Sequence, residues 1–311
     1  RNAPLEKYNQ TSTDFILLGI FPPSRIGFLL FILLVLILLL ALIGNQSVIL
    51  LIFLDTHLHT PIYFLLSRLY LIDLNYISTI VPKMFSDFLF GNKSISFIGC
   101  GIQSFFFVTL AGAEMLPLTS MACDHYVAVC FPLHYPIHMS KIVCLMIIGS
   151  WIMGSIDTCA HISYMPHIPV CSARACDVPA MVTLAFVDTW VYECTVFLST
   201  TLFLMFTFIG IACSYGEVLL TVYHIKSAEG RKKAYSTCST HLTVVIIYYA
   251  MFAYTYLYPR YLQSPTEDKV LAVFYTILTS MLNPIIYSLR NREVMGALTR
   301  VSQRIFPVKM K

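Results

Sequence analysis

Residues 26–54 read IGFLLFILLVLILLLALIGNQSVILLIFL, 29 positions between Arg25 and Asp55 without a Lys, Arg, Asp or Glu. About 20 mostly apolar residues carry a helix across the hydrocarbon of a bilayer, and a backbone in lipid must satisfy its polar groups within its own helix. The stretch predicts a membrane-spanning helix. It follows 25 polar-rich residues, so it does not read as the short apolar core of a cleavable signal peptide.

The rest of the chain is of the same kind. Its 311 residues are 58% hydrophobic and 12% charged, with a mean hydropathy of +0.75, where a soluble domain carries about 25% charge. A water-soluble globule is excluded. With 14% aromatics, 13 Gly and 15 Pro, so is a disordered or collagen-like chain. The net charge of +4 is too small to point to nucleic acid. Further apolar runs cover 61–82, interrupted by Arg68 and Asp73, then 98–123, broken by Glu114, and 142–164, broken by Asp157. Runs at 194–225, 234–259 and 270–289 complete seven crossings. The expected fold is all-α, a seven-transmembrane helix bundle over residues 26–289, with an N-terminal tail (1–25) and a C-terminal segment (290–311).

With the C-terminus inside, the inner segments hold 11 Lys and Arg and the outer ones 8, while eight acids lie outside and five inside. This bias predicts the N-terminus outside and the C-terminus inside; the expected location is the plasma membrane, with the C-terminus cytoplasmic. Sequons at Asn9 and Asn92 agree with that orientation; a third, at Asn45, falls in mid-membrane and is discounted. After the last run, Val294, Leu298, Val301 and Ile305 recur at helical spacing with Arg292, Arg300 and Arg304 off the stripe, which predicts an amphipathic helix on the inner leaflet.

Helical rise converts position into depth. Asn45, Asp73, Glu114 and Asn283 lie about 15, 18, 15 and 10 Å from the inner ends of their spans, one layer on four helices. A lone carboxylate there costs roughly 2.5–3.5 kcal/mol, so the four are expected to meet inside the bundle. Two acids with two amides suggest a bound Na+ or a shared proton; interhelical hydrogen bonding alone is the competing reading. Arg68 is expected to snorkel, and Asp157 to line an outward cavity or bond a neighbouring helix.

Several segments carry a signature. They are Gly44-Asn45, the run LHTPIYFLLS from Leu58 to Ser67, MACDHYVAVC from Met121 to Cys130, PLHYP from Pro132 to Pro136, KAYSTCSTHL from Lys233 to Leu242, and NPIIYSLRN from Asn283 to Asn291. In this order and spacing the chain resembles the olfactory receptor family, rhodopsin-like G-protein-coupled receptors. The resemblance implies an odorant receptor for a small volatile organic ligand, coupled to a stimulatory heterotrimeric G protein. It implies a Cys100–Cys176 disulfide, a switch at the inner end built from Asp124, His125, Tyr126, Tyr215 and Tyr287, and an ion or proton site at Asp73, Glu114, Asn45 and Asn283. It also implies a ligand pocket lined by Phe107, Val108, Ala111, Gly112, Ser199, Thr200, Phe203, Tyr249, Phe252, Ala253, Tyr256 and Thr276. None of these is charged, so the expected ligand is neutral, held by burial and one or two hydrogen bonds. No cofactor is expected to be required.

Departures matter too. His125 stands where the family has arginine, and a shorter, usually neutral imidazole puts G-protein coupling in question. Cys123 replaces a tyrosine, Ser280 replaces a proline, and Pro117 is expected to kink the third span. Cys171 lacks its expected partner. His161, Met165, His167 and Cys171 are donors suited to a soft metal such as copper, although His and Met at a membrane interface need no metal to explain them.

The alternatives are a receptor-like protein with impaired coupling and, from another class, a transporter of ions or small molecules, whose usual internal repeat is not found. There is no nucleophile elbow, phosphate loop or HExxH, so an enzyme is not expected.

Overall fold

The computed structural model describes residues 14–16, 25–90, 94–131, 190–224, 227–257, 277–289 and 291–305, with residues 135, 145, 148–149, 151–152, 154–156 and 158–159 of the intervening segment. The first span is the helix Arg25–Leu54, the second Pro61–Phe90 and the third Phe97–Cys130. The fifth and sixth are Trp190–His224 and Ala228–Leu257. The seventh is helical over 277–284 and continues as a π turn, Ile285–Leu289; a tail helix, Arg292–Ile305, follows. Among the described residues, four helices are long and apolar enough to cross a membrane: Arg25–Leu54, Pro61–Phe90, Gly101–Cys130 and Phe197–His224.

The second and third helices outrun the apolar runs that predict them, because backbone hydrogen bonding continues after hydrophobicity ends. The second and third helices run unbroken through Pro82 and Pro117.

Among the described residues, one paired feature is not helical. Strand β1, Asp14–Ile16, pairs antiparallel with strand β2, Ser94–Ser96, in the register Asp14 to Ser96. Three residues are too few for alternation to show in a sequence. The Ser96 side chain then caps the third helix, accepting from the Gly99 amide at 3.1 Å.

Leu65, Leu66, Leu69 and Tyr70 of the second span pack on Met115, Leu118 and Met121 of the third and on Leu204, Val244 and Tyr248 beyond. Ile26, Phe28 and Leu29 are exposed, as expected where lipid is as apolar as leucine and small residues mark helix contacts. The third and fourth spans show such a contact. A Cβ on Gly154 would stand 3.0 Å from the Thr109 carbonyl, and one on Gly112 would stand 3.3 Å from Gly154 Cα. Thr109 donates across the seam to Thr158 at 3.0 Å.

The expected stripe of the tail helix divides between protein and surface. Val294, Ala297 and Val301 are buried against Leu51, Ile52 and Leu58, whereas Leu298 is 49% exposed. Ala297 sits where a fourth large residue was not needed, and Leu298 lies on the flank of the bundle-facing arc.

Candidate functional site

Pro284 organises the polar centre. Proline has no N–H, so the carbonyl four residues earlier, Ser280, loses its helical donor. Asn45 supplies one: its Nδ2 donates to the Ser280 oxygen at 2.8 Å and to its own Ala41 carbonyl at 2.8 Å. Gly44 makes the approach geometrically feasible, since a Cβ there would stand 3.1 Å from Pro284 Cγ. The Ser280 hydroxyl donates to Asp73 Oδ1 at 3.1 Å, and Asn283 Nδ2 donates to Asp73 Oδ2 at 2.9 Å. Glu114 faces Asp73, Asn283 and Tyr248. Asn45, Asp73, Glu114 and Asn283 are all buried, as an intramembrane charge requires. Asn45 Oδ1 has no hydrogen-bond partner among the described residues.

The network continues toward the tail-helix end. Tyr70 and Ser288 share a hydrogen bond of 2.9 Å, and Tyr248 donates to the Ala111 carbonyl at 2.7 Å. Asp124 is buried and accepts from the Tyr135 hydroxyl at 2.9 Å. His125 instead stands edge-on to Tyr215, with ring centroids 6.5 Å apart. The Tyr215 hydroxyl lies 2.6 Å from His241 Nδ1, with the two rings stacked at 5.5 Å. Tyr287 lies 6.0 Å from His241, ring to ring, and its buried hydroxyl has no partner among the described residues. Tyr126 meets Phe131 edge to face. Arg68, expected to snorkel, lies over the Phe64 ring at 4.6 Å.

The expected pocket residues divide. Phe107 and Ala111 pack with Ile72 and Tyr76 of the second span. Gly112 stands at the crossing with Gly154. Val108 and Thr200 are buried, and Phe203 and Tyr249 pack together on the central core. The Tyr249 hydroxyl lies beside Thr207 and Thr119 but makes no well-formed hydrogen bond. Both threonines donate their own hydroxyl hydrogens to carbonyls of their own helices, at 3.0 Å each, which leaves their oxygens able to accept. Thr201 Oγ1 is buried and has no hydrogen-bond partner among the described residues. Ser199 and Ala253 are partly buried.

Asn9, Asn92, Thr276, Cys176, His161, Met165, His167, Cys171 and Asp157 lie outside the described residues, as do the side chains of Cys100, Phe252 and Tyr256. Among the described residues no group of three His, Cys, Asp or Glu is placed to hold a metal ion.

The participants that the sequence reading did not assign include Ser280, Tyr248, His241 and Tyr135, with Tyr70 and Ser288. Ser280 was legible, since it stands four residues before a proline inside a helix. Tyr135 and His241 stand inside signature segments, PLHYP and KAYSTCSTHL, and Tyr248 in an aromatic-rich span, but nothing local to them names their partners.

Comparison with known proteins agrees in scale with this geometry. A family profile described as Olfactory receptor matches residues 34–304. Human olfactory receptor 2L3 is 77% identical over 98% of this chain and 100% of its own length. Human olfactory receptor 2L13 is 63% identical over 96% of this chain and 97% of its own. Mouse olfactory receptor 2V1 is 50% identical over 94% and 95% respectively.

Proposed function

The chain belongs to the olfactory receptor family, seven-helix G-protein-coupled receptors rather than enzymes, and on that premise we propose that it binds a small, neutral, volatile molecule and signals through a stimulatory heterotrimeric G protein. The observation that carries the ligand reading is Tyr249, whose buried hydroxyl lies beside Thr207 and Thr119 but makes no well-formed hydrogen bond among the described residues. Such a group costs free energy until a ligand satisfies it. Val108, Ser199, Thr200 and Phe203 would line the same space, with Phe252, Ala253, Tyr256 and Thr276 completing it. Phe107, Ala111 and Gly112, which stand toward the second and fourth spans, are left out of the proposed lining.

In this reading the N-terminus is extracellular and the tail helix cytoplasmic, Asn9 and Asn92 carry glycans, and Cys100 pairs with Cys176. The Asp73, Glu114, Asn45 and Asn283 junction holds Na+ or a shared proton. Agonist bound at Tyr249 favours a state in which the tail-helix end of the sixth span moves outward, exposing Asp124, His125, Tyr215 and Tyr287 to the G protein. Only a ligand with higher affinity for that state shifts the population.

A second reading has an observation behind it. The carboxylate of Asp124 is engaged by Tyr135 and the His125 ring stands against Tyr215; among the described residues no ion pair joins His125 to Asp124. That arrangement supports weakened coupling.

The test is a library of neutral volatiles applied to surface-displayed protein with cAMP as readout. A responding volatile whose potency falls at least about tenfold in Phe203→Ala supports the reading. Responses that Phe203→Ala and Tyr249→Phe leave unchanged contradict it.

A further inference from the structure

The turn between the first and second spans holds a carboxylate that a loop does not ordinarily bury. The Asp55 side chain is 1% exposed. Its two oxygens are divided between two jobs. Oδ1 caps the 3-10 turn Thr56–Leu58, accepting from the His57 amide at 3.0 Å and facing His57 Nδ1 at 2.9 Å. Oδ2 takes the guanidinium of Arg300, 245 residues away on the tail helix, with Nε and Nη2 each at 2.8 Å.

Two groups brace that contact. Beneath it, Val294, Ala297 and Val301 pack on Leu51, Ile52 and Leu58. At the start of the tail helix, the Tyr63 hydroxyl donates to Glu293 Oε2 at 2.7 Å and accepts from Asn291 Nδ2 at 3.0 Å. Gly296, one turn before Arg300, keeps the path of the guanidinium clear: a Cβ there would stand 3.3 Å from Nη1.

We propose that Asp55 and Arg300 form a latch in which one carboxylate both folds the first loop and docks the tail helix, so that neither element holds its place without the other. The chemistry is specific. An arginine is planar and presents two donors in a fixed fork, which lysine does not reproduce. Removing Arg300 leaves the buried Asp55 carboxylate without its counter-charge, the costly direction of failure, whereas Arg300 itself is 39% exposed. The latch fixes the tail helix at the end of the bundle that carries Asp124, His125 and Tyr215, and so sets the shape of the face offered to a transducer. Asp55 and Arg300 are positioning residues for that face.

Hydrogen–deuterium exchange on the purified full chain in nanodiscs tests this without ligand or G protein, so its failure is separable from failure of the receptor reading. In Arg300→Gln the amides of 292–305 should exchange about tenfold faster, and those of 56–60 should accelerate with them. Arg300→Lys should restore protection partly, because it keeps the charge and loses the fork. Tyr63→Phe should loosen only the first turn of the tail helix. Unchanged tail exchange in Arg300→Gln overturns the latch; so does a loosened tail beside an undisturbed loop, which would mean that the two elements are not coupled.

Discussion

Asn45 Nδ2 lies 2.8 Å from the carbonyl oxygen of Ser280, in the place of the backbone donor that Pro284 cannot supply. The first span thus completes a helix in the seventh, and the same serine passes the connection on to Asp73.

That relationship sets the first prediction. Asn45→Ala strands the Ser280 carbonyl in a dry interior and should cost about 1–2 kcal/mol. Gly44→Val should do more harm than Gly44→Ala, because the Pro284 ring that stands 3.1 Å from the first added carbon is rigid. Thermal unfolding in detergent measures both; a melting temperature unchanged in Asn45→Ala refutes the donor replacement.

A second prediction uses two glycines as each other's control. Gly154→Ala places a methyl 3.0 Å from backbone at Thr109 and should destabilise by about 1–3 kcal/mol. Gly216→Ala meets nothing within 4 Å, so helix propensity alone acts and should stabilise by up to about 1 kcal/mol. Equal shifts in the two variants would disprove the close crossing of the third and fourth spans.

His125→Arg supplies a planar, permanent cation next to Asp124. The variant should raise ligand-evoked cAMP about tenfold at matched surface display if the histidine weakens coupling by roughly the 1.4 kcal/mol that such a factor represents. Equal strong responses from both forms would dispose of that reading.

Tyr249→Phe removes one hydroxyl and little volume. Volatiles bearing an oxygen acceptor should lose about tenfold in potency, whereas pure hydrocarbons should not. A uniform loss across both classes would point to packing instead of a hydrogen bond.

The Asp55 carboxyl has a pH signature. Burial pushes it up, but the His57 amide, the Arg300 guanidinium and the His57 ring together hold it well below the usual carboxylate range. A depressed carboxyl contributes stability above its unfolded pKa and loses it only as pH falls through the folded value. Tail-helix protection, corrected for intrinsic exchange, should therefore stay constant between about pH 8 and pH 5. A fall within that window would mean that the ion pair is not holding the helix.

How much of this was readable beforehand follows from the reach of each signal. Apolar runs reveal spans because lipid imposes one requirement on every residue, and the depth of Asn45, Asp73, Glu114 and Asn283 follows from helical rise alone. The olfactory receptor signature was legible because six motifs stand in fixed order. Residue pairing across the bundle was not. Asp55 and Arg300 stand 245 residues apart with nothing local to join them, and a 3.6-residue period does not say which edge of the tail helix's apolar arc meets protein and which meets lipid. The β1 and β2 pairing was hidden for a related reason, since strands of three residues leave no period to detect.

The most direct test of the account is ligand response in Asp73→Asn. The variant keeps the size of the side chain and its place beside Ser280 and Asn283 but removes the charge at the centre of the polar junction. The account predicts that a responding volatile still binds near Tyr249 while the cAMP signal falls at least about tenfold. Binding and signal both unchanged would contradict the claim that occupancy above is transmitted through this junction.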